Sequence, residues 1–378
     1  MFLTATLAVL VVVYALVTRW LFTRNTTERD VLPDGLPQTA RGVETWLRER
    51  DAQARPLQPG CESSITWATR RGVSTDICVL FLHGWGASPM ELAPVEKHLA
   101  ASLGANLLCA RYTGHGLQPM ERGGEALVSE QSHMQLRRDA AVAYALASRL
   151  GTRVIILGSS TGATLALWLS SQAWVRGRHP TGSSSCAGLV LISPGFRLGA
   201  VPRLAWLVVA WLVLLLPHIA TRSLLHFVNG GAMKKPQATL LPGRRGDAQV
   251  RCWTRVYPIE AVRHVIELYL LFSLTVALED ISVPVLAMGH PEDKTVSFEA
   301  TRDAVKRMPR AELRVVDGAE NKHIVTGQIA SPATIDFVVR EAAAFLEREC
   351  GIPANVPAAT LGEAWERSRS RSRSPARG

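Results

Sequence analysis

A serine, a carboxylate and a histidine, far apart along the chain, each stand in a setting suited to nucleophilic acyl transfer. Ser160 lies in Gly158-Ser159-Ser160-Thr161-Gly162. Before it, residues 154–157 (VIIL) read as a buried strand; after it, an Ala/Leu-rich segment reads as a helix. Strand, sharp Gly-flanked turn and helix together are the context of a nucleophile elbow. Gly158 and Gly162 leave room for a turn whose neighbours crowd both strand and helix. The Ser160 hydroxyl would then stand above the sheet at a helix N-terminus. Unpaired N–H groups and the positive end of the helix dipole meet a developing oxyanion there. The same five residues also fit an ordinary Ser/Gly-rich turn. The reading therefore depends on an acid, a histidine and an oxyanion loop falling where an elbow needs them.

The acid is expected just beyond the strand at residues 283–288 (VPVLAM), in Gly289-His290-Pro291-Glu292-Asp293-Lys294. Position favours Asp293, with Glu292 as the alternative. His323 follows thirty residues later, room for one helix (298–308) and one strand (313–316). Of the ten histidines it alone sits in the loop after the last strand. The oxyanion loop is read at His83-Gly84-Trp85-Gly86, directly after the apolar strand 77–82 (ICVLFL). Its donors are expected to be the N–H of Trp85 and, just after the nucleophile, of Thr161. Ser88-Pro89-Met90-Glu91 reads as a helix start, with Pro94 disturbing the second turn. His83 and the glycine-flanked His115 are read as residues that order loops, not as proton carriers.

These residues need a scaffold. From residue 77 onward apolar strands alternate with helical patterns, which predicts an α/β fold with a mostly parallel, doubly wound sheet. The regularity breaks over residues 196–282, read as a helical cap inserted before the last two strands. Within it, 204–216 (LAWLVVAWLVLLL) is apolar and ends at Pro217. A buried cap helix, an interfacial segment and an acyl-chain site all fit that run. Residues 262–278 read as a second cap helix.

The full division is an N-terminal anchor (1–24), a linker (25–60), the core (61–195 and 283–350), the cap (196–282) and a tail (351–378). The anchor rests on residues 1–18, which carry no charged side chain; Arg19 and Arg24 follow, which by the positive-inside rule puts the body on the cytosolic side of a single-pass membrane protein. The linker holds one short amphipathic helix candidate near 43–50. A run at 62–69 reads as the first strand. Net charge is +10, but five arginines sit in RSRSRSRSPARG at 367–378, so no nucleic-acid surface is expected on the domain. That Arg/Ser run is disordered by composition and suits an acidic partner, RNA or phosphorylation as well as it suits no role at all. The six cysteines show no C-x-x-C and no metal-ligand spacing, and the acyl chemistry asks for neither a metal nor an organic cofactor.

The pieces FLHGWGASP, ARYTGHG, ILGSSTGA, LISPGF, the Asp293-x-x-Val296 step and Lys322-His323 resemble the α/β-hydrolase superfamily. The likeness is closest to its serine aminopeptidase-like group, which takes in monoacylglycerol lipases, lysophospholipases and carboxylesterases. The order Ser160, Asp293, His323 is that of the superfamily. The resemblance implies an α/β-hydrolase fold and a serine hydrolase of the esterase and lipase kind without specifying a substrate; the apolar cap and the anchor point to a small-molecule ester with a lipid-derived or other apolar acyl group. An acyltransferase with the same triad and a non-catalytic scaffold are the alternatives. Ser159 departs from the pattern, where many relatives carry a larger residue, which bears on substrate preference.

Overall fold

The apolar runs become the middle of a sheet because both of their faces have something to bury against. The computed structural model describes residues 12–13, 32–54, 56–176, 185–199, 201–203, 205–206, 208, 232–234 and 243–356. Seven strands form one sheet: β1 (Ser64–Thr66), β2 (Thr75–Leu82), β3 (Asn106–Ala110), β4 (Gly151–Ser159), β5 (Ser185–Ile192), β8 (Val285–Gly289) and β9 (Ala311–Val315). Their order is β1-β3-β2-β4-β5-β8-β9. Only β1, at the edge, runs antiparallel. The side chains alternate as a pleat requires: Cys78, Leu80, Leu82, Val154 and Ile156 enter one core, Val79, Phe81, Ile155 and Leu157 the other.

The first core is closed by α1 (Ala40–Ala54), α4 (His133–Ala147), α5 (Thr161–Ser171) and α7 (Val262–Thr275). The second is closed by α2 (Val95–Ser102) and α9 (Ile335–Cys350). Elsewhere α3 spans Met120–Ser129 and α8 Phe298–Arg307. In the insertion between β5 and β8, α6 covers Arg244–Cys252, and β6 (Ala232–Lys234) pairs antiparallel with β7 (Val256–Pro258).

Several expectations change. The short helix expected near 43–50 in the linker forms as the longer α1, and it packs on the larger core: Val43 and Leu47 are buried there and Asp51 pairs with buried Arg111 at 2.9 Å. Residues 262–275 form one wall of that core as well as roofing the site, because buried side chains lie nearly all round α7. No helix begins at Ser88; turns run to Pro94 and α2 starts at Val95. The single-pass placement is corrected: among the described residues no helix is long and apolar enough to cross a membrane. The most apolar are short. The 14 residues of α7 reach only about 21 Å, against a hydrocarbon core of about 30 Å. Apart from Val12 and Val13, the stretch 1–24 lies outside the described residues, as do the Arg/Ser run and most of 204–216.

Candidate active site

The sheet places its functional loops by topology. The chain winds outward from β2 to β3 on one side and from β4 to β5, β8 and β9 on the other. The crevice at the C-terminal ends of β2 and β4 is where such a sheet binds ligands. The loop with Trp85 leaves β2 there, and Ser160 leaves β4 beside it.

Ser160 has φ 50° and ψ −115°, a left-handed conformation that a side chain rarely adopts. Its N–H donates to the Ile192 carbonyl at 2.8 Å, which helps hold the strained turn. The flanking glycines are sterically required. A Cβ on Gly162 would run into the Leu82 carbonyl oxygen, and one on Gly158 would lie 2.6 Å from the Ala163 Cα. The first approach is what seats the start of α5 against the end of β2.

The structure brings Ser160, His323 and Asp293 together. Ser160 Oγ is 3.0 Å from His323 Nε2, and His323 Nδ1 is 2.8 Å from Asp293 Oδ2. The other Asp293 oxygen accepts the N–H groups of Thr295 (2.7 Å) and Val296 (3.1 Å). With a carboxylate as acceptor, Nδ1 carries the ring proton and the lone pair of Nε2 faces the serine hydroxyl. Glu292 is exposed and donates its N–H to His290 Nδ1 instead. Of the two candidate acids, only Asp293 meets His323.

Trp85 and Thr161 both line the cavity beside Ser160. Among the described residues neither of their N–H groups donates to a backbone or side-chain acceptor. Histidines order this loop. His115 Nε2 accepts the Gly86 N–H at 2.9 Å; His83 donates from Nδ1 to the Gly84 carbonyl at 2.8 Å and accepts the Tyr112 N–H at 3.3 Å. Burial holds the His83 pKa well below the usual imidazole range, which keeps the ring neutral.

Four further residues belong to the site and were not identified from sequence. Glu91, read as a helix-start residue, turns its buried carboxyl to the Gly84 N–H (2.7 Å) and the Trp253 indole N–H (3.3 Å). Burial raises its pKa. Ser193, at φ 46°, donates to the His323 carbonyl at 2.6 Å. Asn321 Oδ1 accepts the N–H groups of His323 and Ile324 at 2.9 and 3.0 Å. Tyr269 on α7 shares a 3.0 Å hydrogen bond with Thr161 Oγ1, and burial pushes its phenol up to about 12. Ser193 lies in LISPGF and Asn321 directly precedes Lys322-His323, but a motif does not show which distant atom a side chain reaches.

The site opens into a cavity of about 680 Å³. Leu198, Val262, Val265 and Val296 give it apolar wall, while Arg255, Gln249 and Glu320 give it polar wall.

Residues 79–327 match the model of the alpha/beta hydrolase family. The chain belongs to that family. No curated protein matches the chain. Among solved structures, this α/β-hydrolase is similar to one from work on the metagenome-derived lipolytic enzymes LipS and LipT. There the identity is 20% and the TM-score 0.51, over 77% of this chain and 99% of that one. It is also similar to a monoacylglycerol lipase of Paleococcus ferrophilus, at 16% identity and a TM-score of 0.51, over 76% of this chain and 98% of that one. At these identities the likeness establishes the shared fold.

Proposed function

We propose that the protein is a serine hydrolase that cleaves carboxylic esters. One observation carries the reading: the unbroken hydrogen-bond chain from Ser160 through His323 to Asp293 at the floor of the cavity. Ser160 Oγ attacks the ester carbonyl carbon as its proton passes to His323 Nε2. The N–H groups of Trp85 and Thr161 receive the negative oxygen of the tetrahedral intermediate. The carbonyl re-forms and the C–O bond to the alcohol breaks. His323 returns its proton to the leaving oxygen, and the acyl group stays on Ser160. Water then gives a proton to His323 and attacks the acyl carbonyl; the bond to Ser160 Oγ breaks, His323 returns the proton to that oxygen, and the acid leaves.

The apolar wall of Leu198, Val262, Val265 and Val296 favours an apolar arm on the ester. The ester class agrees with the names of the two structural relatives, a lipolytic enzyme and a monoacylglycerol lipase. The test is covalent labelling by a fluorophosphonate probe, with hydrolysis of 4-nitrophenyl butyrate in parallel. Both should be lost in Ser160→Ala and reduced by orders of magnitude in His323→Ala. Labelling or turnover that survives Ser160→Ala would sink the proposal.

A further inference from the structure

The charge on this chain is unevenly placed. From Asp139 to Asp247 the sequence holds no carboxylate side chain at all. Over the whole insertion, residues 196–282, eight arginines and two lysines stand against five acids. Five arginines of the net +10 lie in the last twelve residues, and the insertion carries the ten cations just counted. One of those cations, Arg255, lines the cavity that holds Ser160.

The other charged groups on the cavity wall already have partners. Glu320 is paired with Arg245 at 3.0 Å. Glu91 accepts the Gly84 N–H under the oxyanion loop. Asp293 holds His323 from behind. Among the described residues no carboxylate lies within ion-pair distance of Arg255. Its place is nevertheless fixed. The preceding Thr254 donates its N–H to the Gly86 carbonyl at 2.7 Å, and the Trp253 indole reaches Glu91. Two residues further on, the Tyr257 ring meets Trp85 edge-on with centroids 5.0 Å apart. The backbone that carries Arg255 is thus tethered on both sides to the loop that carries the Trp85 N–H.

A half-buried arginine that lines the same cavity as a nucleophile and is left without a carboxylate is a receptor for one. Its planar fork matches a carboxylate or phosphate in two parallel hydrogen bonds. We propose that the cavity selects esters with an anionic group on one arm, and that Arg255 binds that group. The inference rests on the ester-hydrolase reading and names the substrate class for the same site.

The experiment compares three esters that release nitrophenols. They are 4-nitrophenyl butyrate (neutral), 4-nitrophenyl hydrogen glutarate (carboxylate on the acyl arm) and 3-butyryloxy-4-nitrobenzoate (carboxylate on the leaving arm). The readout is the ratio of kcat/KM, anionic over neutral, corrected for the intrinsic reactivity of each ester with hydroxide. For one of the two anionic esters the ratio should be about ten or more, expressed mainly in KM. Which ester it is assigns the arm. In Arg255→Gln the ratio should fall to about one, and Arg255→Lys should keep part of it. Without any substitution, raising NaCl from about 20 to 500 mM should shrink the ratio several-fold.

A ratio near one for both anionic esters overturns the inference, as does a ratio that survives Arg255→Gln. An equal fall in the exposed Arg244→Gln would also overturn it, because the general field of the insertion would then be responsible. Failure of the hydrolase reading looks different: no Ser160-dependent turnover of any of the three esters, which removes both proposals together.

Discussion

Replacing Ser193 tests whether His323 is held in place by its own backbone. The Ser193 hydroxyl donates to the His323 carbonyl at 2.6 Å, and its N–H donates to Met288 at the end of β8 at 2.7 Å. The bond thus ties the histidine loop to the sheet. Ser193→Ala removes it and leaves a partly buried carbonyl short of a donor, which costs about 1–3 kcal/mol. Ser193→Gly loses the same bond but relieves a side chain held at φ 46°, a strain of about 1–2 kcal/mol. Greater unfolded-chain freedom takes back about 0.5–1 kcal/mol of that gain. The glycine variant should therefore be the more stable of the two by about 1 kcal/mol or less, measured as the urea midpoint. Activity should not follow stability. Freed from Ser193, the imidazole can drift from Ser160, and a displacement of about 1 Å costs roughly 10²-fold in rate. Both variants should lose about 10- to 100-fold in kcat on 4-nitrophenyl butyrate with KM little changed. A kcat within twofold of wild type in both variants refutes the reasoning. Asn321 and Asp293 would then suffice to aim the ring.

Glu91→Leu leaves the Gly84 N–H and the Trp253 indole without their acceptor, and should lower kcat about 10- to 100-fold. Glu91→Gln, which keeps an acceptor oxygen, should recover most of it in the same assay. Gly162→Ala drives a methyl into the Leu82 carbonyl, and should cost about 3 kcal/mol or more, seen as loss of folded protein or a large fall in the urea midpoint. Glu96, at the start of α2, is buried with its Oε2 lacking a partner, and burial raises its pKa from 4.5 to about 7. A carboxyl raised in the folded state holds its proton there longer than in the unfolded chain. Its contribution is complete below about pH 4.5 and is lost as pH rises through 7, on the order of 3 kcal/mol in all. Glu96→Gln should flatten the decline in stability between pH 5 and 8 in urea titrations. An unchanged slope would place that pH dependence elsewhere.

The parts legible in the sequence were those where one local pattern decides the structure. Residues 77–82 and 154–157 are apolar on both faces, and only a central strand buries both. Gly158 and Gly162 are readable because a crowded turn leaves no other choice. Ser160, Asp293 and His323 each stand at the C-terminal end of a strand, so the topology of a parallel sheet brings them to one rim. What stayed hidden depends on partners far away. The S-P-M-E pattern at 88–91 promises a capped helix, but the Glu91 carboxyl is drawn to the Gly84 N–H, and Pro94 delays the helix to Val95. The helix near 43–50 was legible, but its docking on the core was not, because Arg111, the partner of Asp51, lies sixty residues on. Tyr269 falls within the segment read as a second cap helix and was not singled out; only the packing of α7 against α5 shows its hydroxyl at Thr161.

The same distant contacts make the insertion part of the oxyanion loop mechanically. Thr254 holds Gly86, Trp253 reaches the Glu91 that holds Gly84, and the Cys252 thiol lies 3.6 Å from the Ser88 hydroxyl. On the other side, Tyr269 of α7 holds Thr161, whose N–H is the second proposed donor. Each proposed oxyanion donor is thus braced by a residue of the segment that also walls the substrate cavity. A substrate pressing on that wall acts on the donors through two or three hydrogen bonds. Changes at the bracing residues Trp253, Thr254 and Tyr269 should therefore alter kcat together with KM, as expected where binding energy is used to align groups that act only in the transition state. A cap resting on the core by apolar contact alone would alter KM and leave kcat untouched.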